Sequence, residues 1–366
     1  MLATLVSALS TACLAPTTEW PLAHAEILPR AADIQIGDTF RFQLQVTLTA
    51  PHESVAPSRE ARWWLSDTTI AQIDSGSGVV VAKRSGSIIV SATAAGATAT
   101  AQLEVSPVIL VGAGDIAACA SSGAEATAEL IDAVSGTVFT AGDNAYESGT
   151  YAEFTSCYAP SWGRHFARTK PAPGNHEYLT PGAAGYFQYF GAAAGDPSMG
   201  YYSYDLGSWH IVVVNSSAVV RAGSAQEQWL RADLTAHPAL CTLAYWHYPR
   251  FSSGFQGGHS EMQTIWQALY DAGADVVISA HDHNYERFAP QTPSGSPDSI
   301  RGIREFVVGT GGGSLLALHN AAPNSEVRNN TTFGVLLLKL YDNRYEWEFV
   351  PTRRGGFTDA GADRCH

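Results

Sequence analysis

The sequence predicts an α/β domain preceded by a small all-β sandwich, and two observations carry that reading. Up to about residue 106, short runs alternating apolar with polar residues are separated by Ser, Gly and Asp. After Pro107 the texture changes to continuous apolar runs interleaved with stretches of helical spacing. A length of 366 residues with 45% hydrophobic content suits two domains with ordinary buried cores. The expected division is a signal-like segment over 1–25, the sandwich over 26–107 and the α/β domain over 108–366.

Met1 to Ala15 is apolar around Leu5, Val6 and Leu9, too short for a spanning helix and similar to the hydrophobic part of a secretory signal. It lacks the usual preceding Lys or Arg. Ser10-Thr-Ala-Cys13 loosely resembles a lipoprotein cleavage box with Ser10 in place of Leu, so Cys13 reads equally as a lipidated residue or as one removed with the signal. The expected location is outside the cytoplasm: secreted, periplasmic or lipid-anchored at the cell surface, with no spanning segment. Cys119, Cys157, Cys241 and Cys365 form an even set that suits an oxidising compartment. Of the three connectivities, Cys119 with Cys157 and Cys241 with Cys365 is preferred; the first would join two loops flanking the candidate site, the second would pin the C-terminus.

Phe40, Phe42, Leu44, Val46 and Leu48 alternate as one strand with a buried face, followed by strand-like runs near 63–65, 79–82, 88–92 and 99–105. These read as an antiparallel sandwich. The stretches Trp64-Leu-Ser-Asp-Thr-Thr-Ile-Ala-Gln-Ile-Asp74 and Ser85-Gly-Ser-Ile-Ile-Val-Ser-Ala-Thr93 resemble the bacterial immunoglobulin-like group 2 domain. That resemblance implies a spacer or adhesive module, with cell-wall or glycan contact as its partner.

In the second domain, apolar runs at 108–111, 138–141, 211–214, 243–246, 276–279 and 306–308 read as strands. Ser122 with Glu125, and Ser224 with Glu227, have the spacing of capping boxes, and Met262, Ile265, Trp266 and Leu269 lie on one helical face that Gly273 ends. A net charge of −13 argues against a phosphate-backbone grip on nucleic acid.

Chemistry-bearing residues gather where these strands end, where loops converge on a rigid sheet. Asp115 follows the first run, Gly142-Asp-Asn-Ala-Tyr146 the second, His247 a later one, and Ala280-His-Asp-His-Asn-Tyr-Glu-Arg287 the next. Pro173-Gly-Asn-His-Glu-Tyr178 places an amide, an imidazole and a carboxylate side by side, and is the one such loop with no strand-like run before it. His281 and His283, two residues apart, have a common metal-ligand spacing.

In this order the five segments resemble the calcineurin-like metallophosphoesterase superfamily, and Asp143 to Tyr146 narrows the resemblance to its purple acid phosphatase branch. The resemblance implies two β-sheets packed face to face and flanked by helices. It also implies two metal ions, one held by Asp115, Asp143, Tyr146 and His283, the other by Asp143, Asn175, His247 and His281, with Asp143 bridging. The expected pair is Fe(III) with a divalent Zn, Fe or Mn ion, because carboxylate and phenolate oxygens favour a trivalent ion while an amide and neutral imidazoles suit a divalent one.

The implied reaction is hydrolysis of phosphate monoesters, with a diesterase or nucleotidase as alternative on the same metals. His176 is implied to face the phosphoryl group or leaving oxygen, its ring oriented by Glu177, and His259 to be a second phosphate-facing imidazole. Tyr285 and Arg287 are expected to buttress their loop. A reading of another class makes the chain a surface-binding module with incidental catalysis.

Ala117 and Ala280 stand where the branch carries Gly, so strain is expected at Ala280 if that position needs positive φ. His210 reads as a packed strand residue, and His52, His165, His237 and His319 as histidines without suitable partners. Tyr186, Phe187, Tyr189, Phe190, Tyr201, Tyr202 and Tyr204 read as packing residues rather than a substrate cleft.

Overall fold

The computed structural model describes residues 22–49, 54–57, 61–353 and 356–366. The apolar start with Cys13, and His52, lie outside these residues. Before residue 107, three small sheets close around Ile27, Phe42, Leu44, Trp63, Val80, Ile88, Val90 and Leu103.

Two features differ from the sequence reading. The run expected as one strand is two, Thr39–Arg41 and Gln43–Thr49, which pair in different sheets. The break falls where the Phe42 amide turns to the carbonyl of Gly78, whose φ of 71° and close contact with the Trp63 ring leave no room for a side chain. The arrangement is also not wholly antiparallel, because Ala97–Ser106 pairs in parallel with Ala31–Gln35.

The remainder is built on two larger sheets. One has six strands in the order Thr169–Ala172, Thr137–Ala141, Val108–Ala113, Gly334–Leu340, Arg344–Pro351, Ala360–Arg364. The other has seven, in the order Tyr202–Leu206, Trp209–Val213, Cys241–Tyr245, Val276–Ser279, Arg304–Val308, Tyr285–Phe288, Ser325–Asn329. Strand periodicity decides what each face meets. Ile211, Val213, Leu243, Tyr245, Val276, Ile278, Phe306 and Val308 point to one side and share a core with Leu110, Val138, Leu336 and Leu338 of the six-stranded sheet. Val212, Val214, Ala244, Trp246 and Val277 point to the other and pack on Leu230, Ile265, Trp266 and Leu269 of the helices Ala225–Ala236 and Gln263–Asp271. The sheets therefore lie face to face, with the four central parallel strands buried on both sides, as their unbroken apolar runs require.

Capping follows local chemistry more finely than the sequence pattern predicts. Ser122 makes no side-chain cap at Gly123–Asp132; Ser121 Oγ takes the Gly123 amide instead. Ser224 does cap its helix through the Glu227 amide, but Glu227 reaches back to Gly223, not to Ser224. A full capping box occurs at Thr150 and Glu153, which the sequence reading did not identify.

Both preferred disulfides are present, Cys119–Cys157 and Cys241–Cys365, with Cα atoms 4.8 and 5.4 Å apart. The second ties the final residues to the strand Cys241–Tyr245. Arg84 meets Asp342 at 2.7 Å, linking the N-terminal sheets to the larger unit.

Glu305 is fully buried in the strand Arg304–Val308, accepting from Ser279 Oγ and the amides of Arg250 and Phe251, each at 3.0 Å. It thereby anchors the loop that follows His247. Burial lifts its pKa to about 8, against the pull of those hydrogen bonds.

Two outcomes are expected. Replacing Cys241 and Cys365 by Ser should lower the unfolding free energy by about 2–5 kcal/mol, because the bridge closes a long loop; denaturant titration of the two proteins measures it. A carboxyl with a folded pKa above its unfolded value adds stability at low pH that is lost as pH climbs from about 4.5 toward 8. Glu305→Gln cannot titrate, so its Tm minus that of the wild type should rise across this window, and a flat difference would contradict the assignment.

Candidate metal centre

Every segment singled out in the sequence leaves the C-terminal end of a strand. Asp115 follows Val108–Ala113, Asp143 follows Thr137–Ala141, His247 follows Cys241–Tyr245 and His281 follows Val276–Ser279. The Asn175 loop, expected to lack a strand, follows the short edge strand Thr169–Ala172. Pro171 hides that strand from pattern reading, and an edge position tolerates it because its missing N–H costs no inner ladder bond.

Two groups of ligand atoms form, hinged on one carboxylate oxygen. In the first, Tyr146 Oη lies 2.8 Å from Asp115 Oδ1, 3.2 Å from His283 Nε2 and 3.4 Å from Asp143 Oδ2, and His283 Nε2 lies 3.3 Å from Asp115 Oδ1. In the second, His247 Nε2 lies 3.0 Å from Asn175 Oδ1, 3.1 Å from Asp143 Oδ2 and 3.2 Å from His281 Nδ1. The seven expected ligands are thus all brought together, and Asp143 Oδ2 is common to both groups.

Surrounding groups fix these atoms. His247 Nδ1 donates to the Ala141 carbonyl at 2.9 Å and His283 Nδ1 to the Ser314 carbonyl, so in each ring Nε2 is the atom aimed inward. Asp143 Oδ1 accepts the His176 amide at 2.9 Å, leaving Oδ2 for the shared position. Gly174 has to be Gly, since a Cβ there would stand 2.2 Å from Asp143 Oδ1.

The electrostatics fit cations. Asp115 Oδ2 is buried without a hydrogen-bond partner, and the inward ring nitrogens face oxygens and one another with few protons to share. Burial disfavours charge on Asp115, yet His283 beside it, helped by His247 and His281, holds its carboxyl well below the usual range. Burial opposes protonation of His247 and His283 as well, but the facing carboxylates of Asp143 and Asp115 raise them to about 9. His281, buried and beside His247, is pushed down to about 3. Burial, with Asp115 and Asp143, pushes the Tyr146 phenol up, so its phenolate needs a strong cation nearby. Carboxylates, a phenol, an amide oxygen and imidazoles are the donor set for one hard and one borderline ion, and the residues present fit a dinuclear centre.

The backbone carries strain at the ligands themselves. Asp115, Asp143 and His281 have φ of 57°, 50° and 67°, a region costly for residues with a side chain. The strain expected at Ala280 is therefore located one residue later, at His281. Ala280 is buried, and Gly114 must be Gly because its Cβ would meet the Ala280 methyl at 2.4 Å. Ala117 is accommodated too, exchanging backbone bonds with Asn144 and Tyr146.

Glu177 does not orient the His176 ring as expected. It is buried and accepts the amides of Asp143, Asn144, Ala145 and Gly174, clamping the Asp143 loop to the Asn175 loop. Burial and nearby Asp143 lift it to about 7. The His176 ring is set instead by the Glu147 carbonyl at Nδ1 and by edge contact with Tyr146, with Nε2 3.8 Å from Asp143 Oδ2. His259 stacks on Tyr248 at 4.3 Å, with its centroid 5.1 Å from that of His281; Nδ1 pairs with Glu261, while Nε2 is buried without a partner.

Tyr285 and Arg287 point away from the cluster and bind Asp359, at 2.8 and 2.6 Å, which gives them the buttressing role expected. Tyr186, Phe187 and Phe190 lie in the core.

Sequence reasoning missed the loop Gly309-Thr-Gly-Gly-Gly-Ser314. Its Gly313 amide bonds the Asp115 carbonyl at 2.7 Å and its Ser314 carbonyl takes His283 Nδ1, so it supports the first ligand group. A glycine run directly after the strand-like 306–308 was the available signal. Asp282, between the paired imidazoles, accepts from Ser252 Oγ and the amides of Gln256 and Gly257, holding the loop that carries His259.

Comparison with known proteins agrees with this geometry. Residues 110–285 match the calcineurin-like phosphoesterase family. Purple acid phosphatase 21 of Arabidopsis thaliana is 30% identical over 159 residues, covering 41% of this chain and 36% of the relative. The chain thus spans about a third of that relative's length. Among solved structures, the purple acid phosphatase PPD1 from yellow lupin (Lupinus luteus) seeds superposes with a TM-score of 0.56 at 15% identity, over 89% of this chain and 72% of that one. GAP50, the anchor in the inner membrane complex of Plasmodium, gives 0.57 at 15% identity, over 69% and 88%. At such identities the structures speak for the fold alone. Residues 110–285 of this chain are thus similar to calcineurin-like phosphoesterases, and the relatives matched are purple acid phosphatases.

Proposed function

We propose that this chain is an exported hydrolase of phosphate monoesters acting through a dinuclear metal centre. The observation that carries the reading is the pair of ligand groups sharing Asp143 Oδ2, one rich in hard oxygens and the other in imidazoles. Asp115, Asp143, Tyr146 and His283 would hold Fe(III), and Asp143, Asn175, His247 and His281 a Zn, Fe or Mn ion. When bound, such a pair supplies Lewis-acid charge to phosphoryl oxygens and an activated water for in-line attack.

The chain's own groups complete the site. His176 has its Nδ1 committed to the Glu147 carbonyl, so Nε2 can donate only when the ring is cationic. In that form it can stabilise the developing charge and protonate the leaving oxygen. His259, with a free Nε2 beside His281, is the second candidate for contact with the phosphoryl group. Glu177 preserves the distance between the Asp143 and Asn175 loops on which the shared ligand depends. The two disulfides are compatible with an exported protein, and among the described residues no helix is long and apolar enough to cross a membrane.

Protein loaded with iron and zinc or manganese should hydrolyse aryl phosphate monoesters faster than bis-aryl diesters, and His176→Ala should cut kcat by roughly 10²–10⁴-fold, the usual size of a general acid's contribution. A higher rate on diesters would move the assignment to a phosphodiesterase. Loaded with iron, the protein should show a phenolate-to-ferric charge-transfer band that vanishes in Tyr146→Phe; its absence from the wild type would remove Tyr146 from the first metal.

A further inference from the structure

At the other end of the seven-stranded sheet, His210, Asp233 and His237 come together. His210 pairs in register with Thr242, five residues before His247 on the adjacent parallel strand. At about 3.3 Å per residue this is roughly 16 Å from the catalytic loops. Asp233 and His237 lie one turn apart at the C-terminus of the helix Ala225–Ala236. The sequence reading took His210 as a packed strand residue and His237 as partnerless, because nothing in the pattern announces that this helix end returns to the strand.

The three groups have the form of a built site. One ligand atom from each lies within 4.8 Å of the others, with His210 Nε2 2.9 Å from Asp233 Oδ2, and His237 Nδ1 3.3 Å from Asp233 Oδ1 and 3.0 Å from the Asp233 carbonyl, which it would exchange for an ion. Tetrahedral bonds of about 2.0–2.2 Å place ligand atoms about 3.3–3.6 Å apart, and the three here already lie within 4.8 Å of one another.

The supporting groups are also in place. Asp205 Oδ1 lies 2.9 Å from His210 Nδ1, which orients the ring with Nε2 toward Asp233, and Ser203 Oγ donates to Asp233 Oδ1 at 2.8 Å. A histidine backed by a carboxylate on its far nitrogen is the usual arrangement of a metal-bound imidazole. His210 and Asp233 are buried, whereas the His237 side chain is 50% exposed and lines an open cavity of about 410 Å³ with Arg231, Thr235 and Asp271. Solvent therefore reaches the cluster from the His237 side.

We propose that His210, Asp233 and His237 form a further divalent-metal site, of the zinc class, separate from the dinuclear centre. Two imidazoles and one carboxylate suit this ion, and any proton on His210 Nε2 leaves to solvent as the ion enters. Bound metal would staple the hairpin Tyr202–Val213 to the end of its helix.

The test compares full-length wild type with His237→Ala after saturation with Zn²⁺ and desalting. The variant should retain one zinc fewer per chain, keep its phosphatase activity, and lose part of the Zn²⁺-induced rise in Tm seen in the wild type. Asp205→Asn, which touches no ion, should weaken zinc binding at this site about 10–100-fold in a titration. Because the readout is a difference between two chains, it does not depend on how fully the dinuclear centre loads. Equal zinc content in wild type and His237→Ala at saturation would overturn the proposal.

Discussion

Asp143 occupies the position on which the rest of the centre depends. Its Oδ1 is committed to the His176 amide, and its Oδ2 lies within 3.4 Å of the donor atoms of both Tyr146 and His247. A buried carboxylate serving two ligand groups needs compensating positive charge from each side. The protein supplies part of it through imidazoles and backbone amides, and the donor set is one that cations would complete. The same requirement raises the pKa of His247 and His283 to about 9, buried as they are, because the Asp143 and Asp115 carboxylates favour a cation beside them.

Holding the ligands in this geometry costs backbone energy, and the fold offsets that cost locally. Asp115, Asp143 and His281 adopt positive φ at three strand ends. Glu177 gathers four amides from two of the loops, and the glycine run before Ser314 bonds the third ligand loop from behind. Asp282 and Glu305 in turn fix the segment after His247. Carboxylates that accept backbone amides are stiff supports, because their loss would leave several buried donors unpaired. The strain is thus maintained by neighbours with no chemistry of their own.

The seven-stranded sheet has chemical groups at both ends of its parallel strands. The C-terminal ends carry the candidate metal ligands, in keeping with the convergence of loops there. The N-terminal end of Trp209–Val213 carries His210 with Asp233 and His237, braced by Asp205 and Ser203. Two clusters separated by a rigid sheet can differ in solvent access and ion preference without disturbing each other.

The sequence by itself determined the central buried strands and the ligand motifs, because unbroken apolar runs ending in Gly, Asp, Asn and His state both a buried strand and an unusual demand at its end. It also pointed to the two disulfide pairs, through loop placement, without deciding among three connectivities. Only the tertiary structure decided what depends on side chains distant in sequence. It moved the expected strain from Ala280 to His281, turned Glu177 from the His176 ring to the amides of two loops, and revealed a strand before Asn175 that Pro171 had disguised. It likewise joined His237 to His210 across the fold. Periodicity reports which face of a strand is buried, whereas hydrogen-bond partners are set by how separate loops fold back on one another.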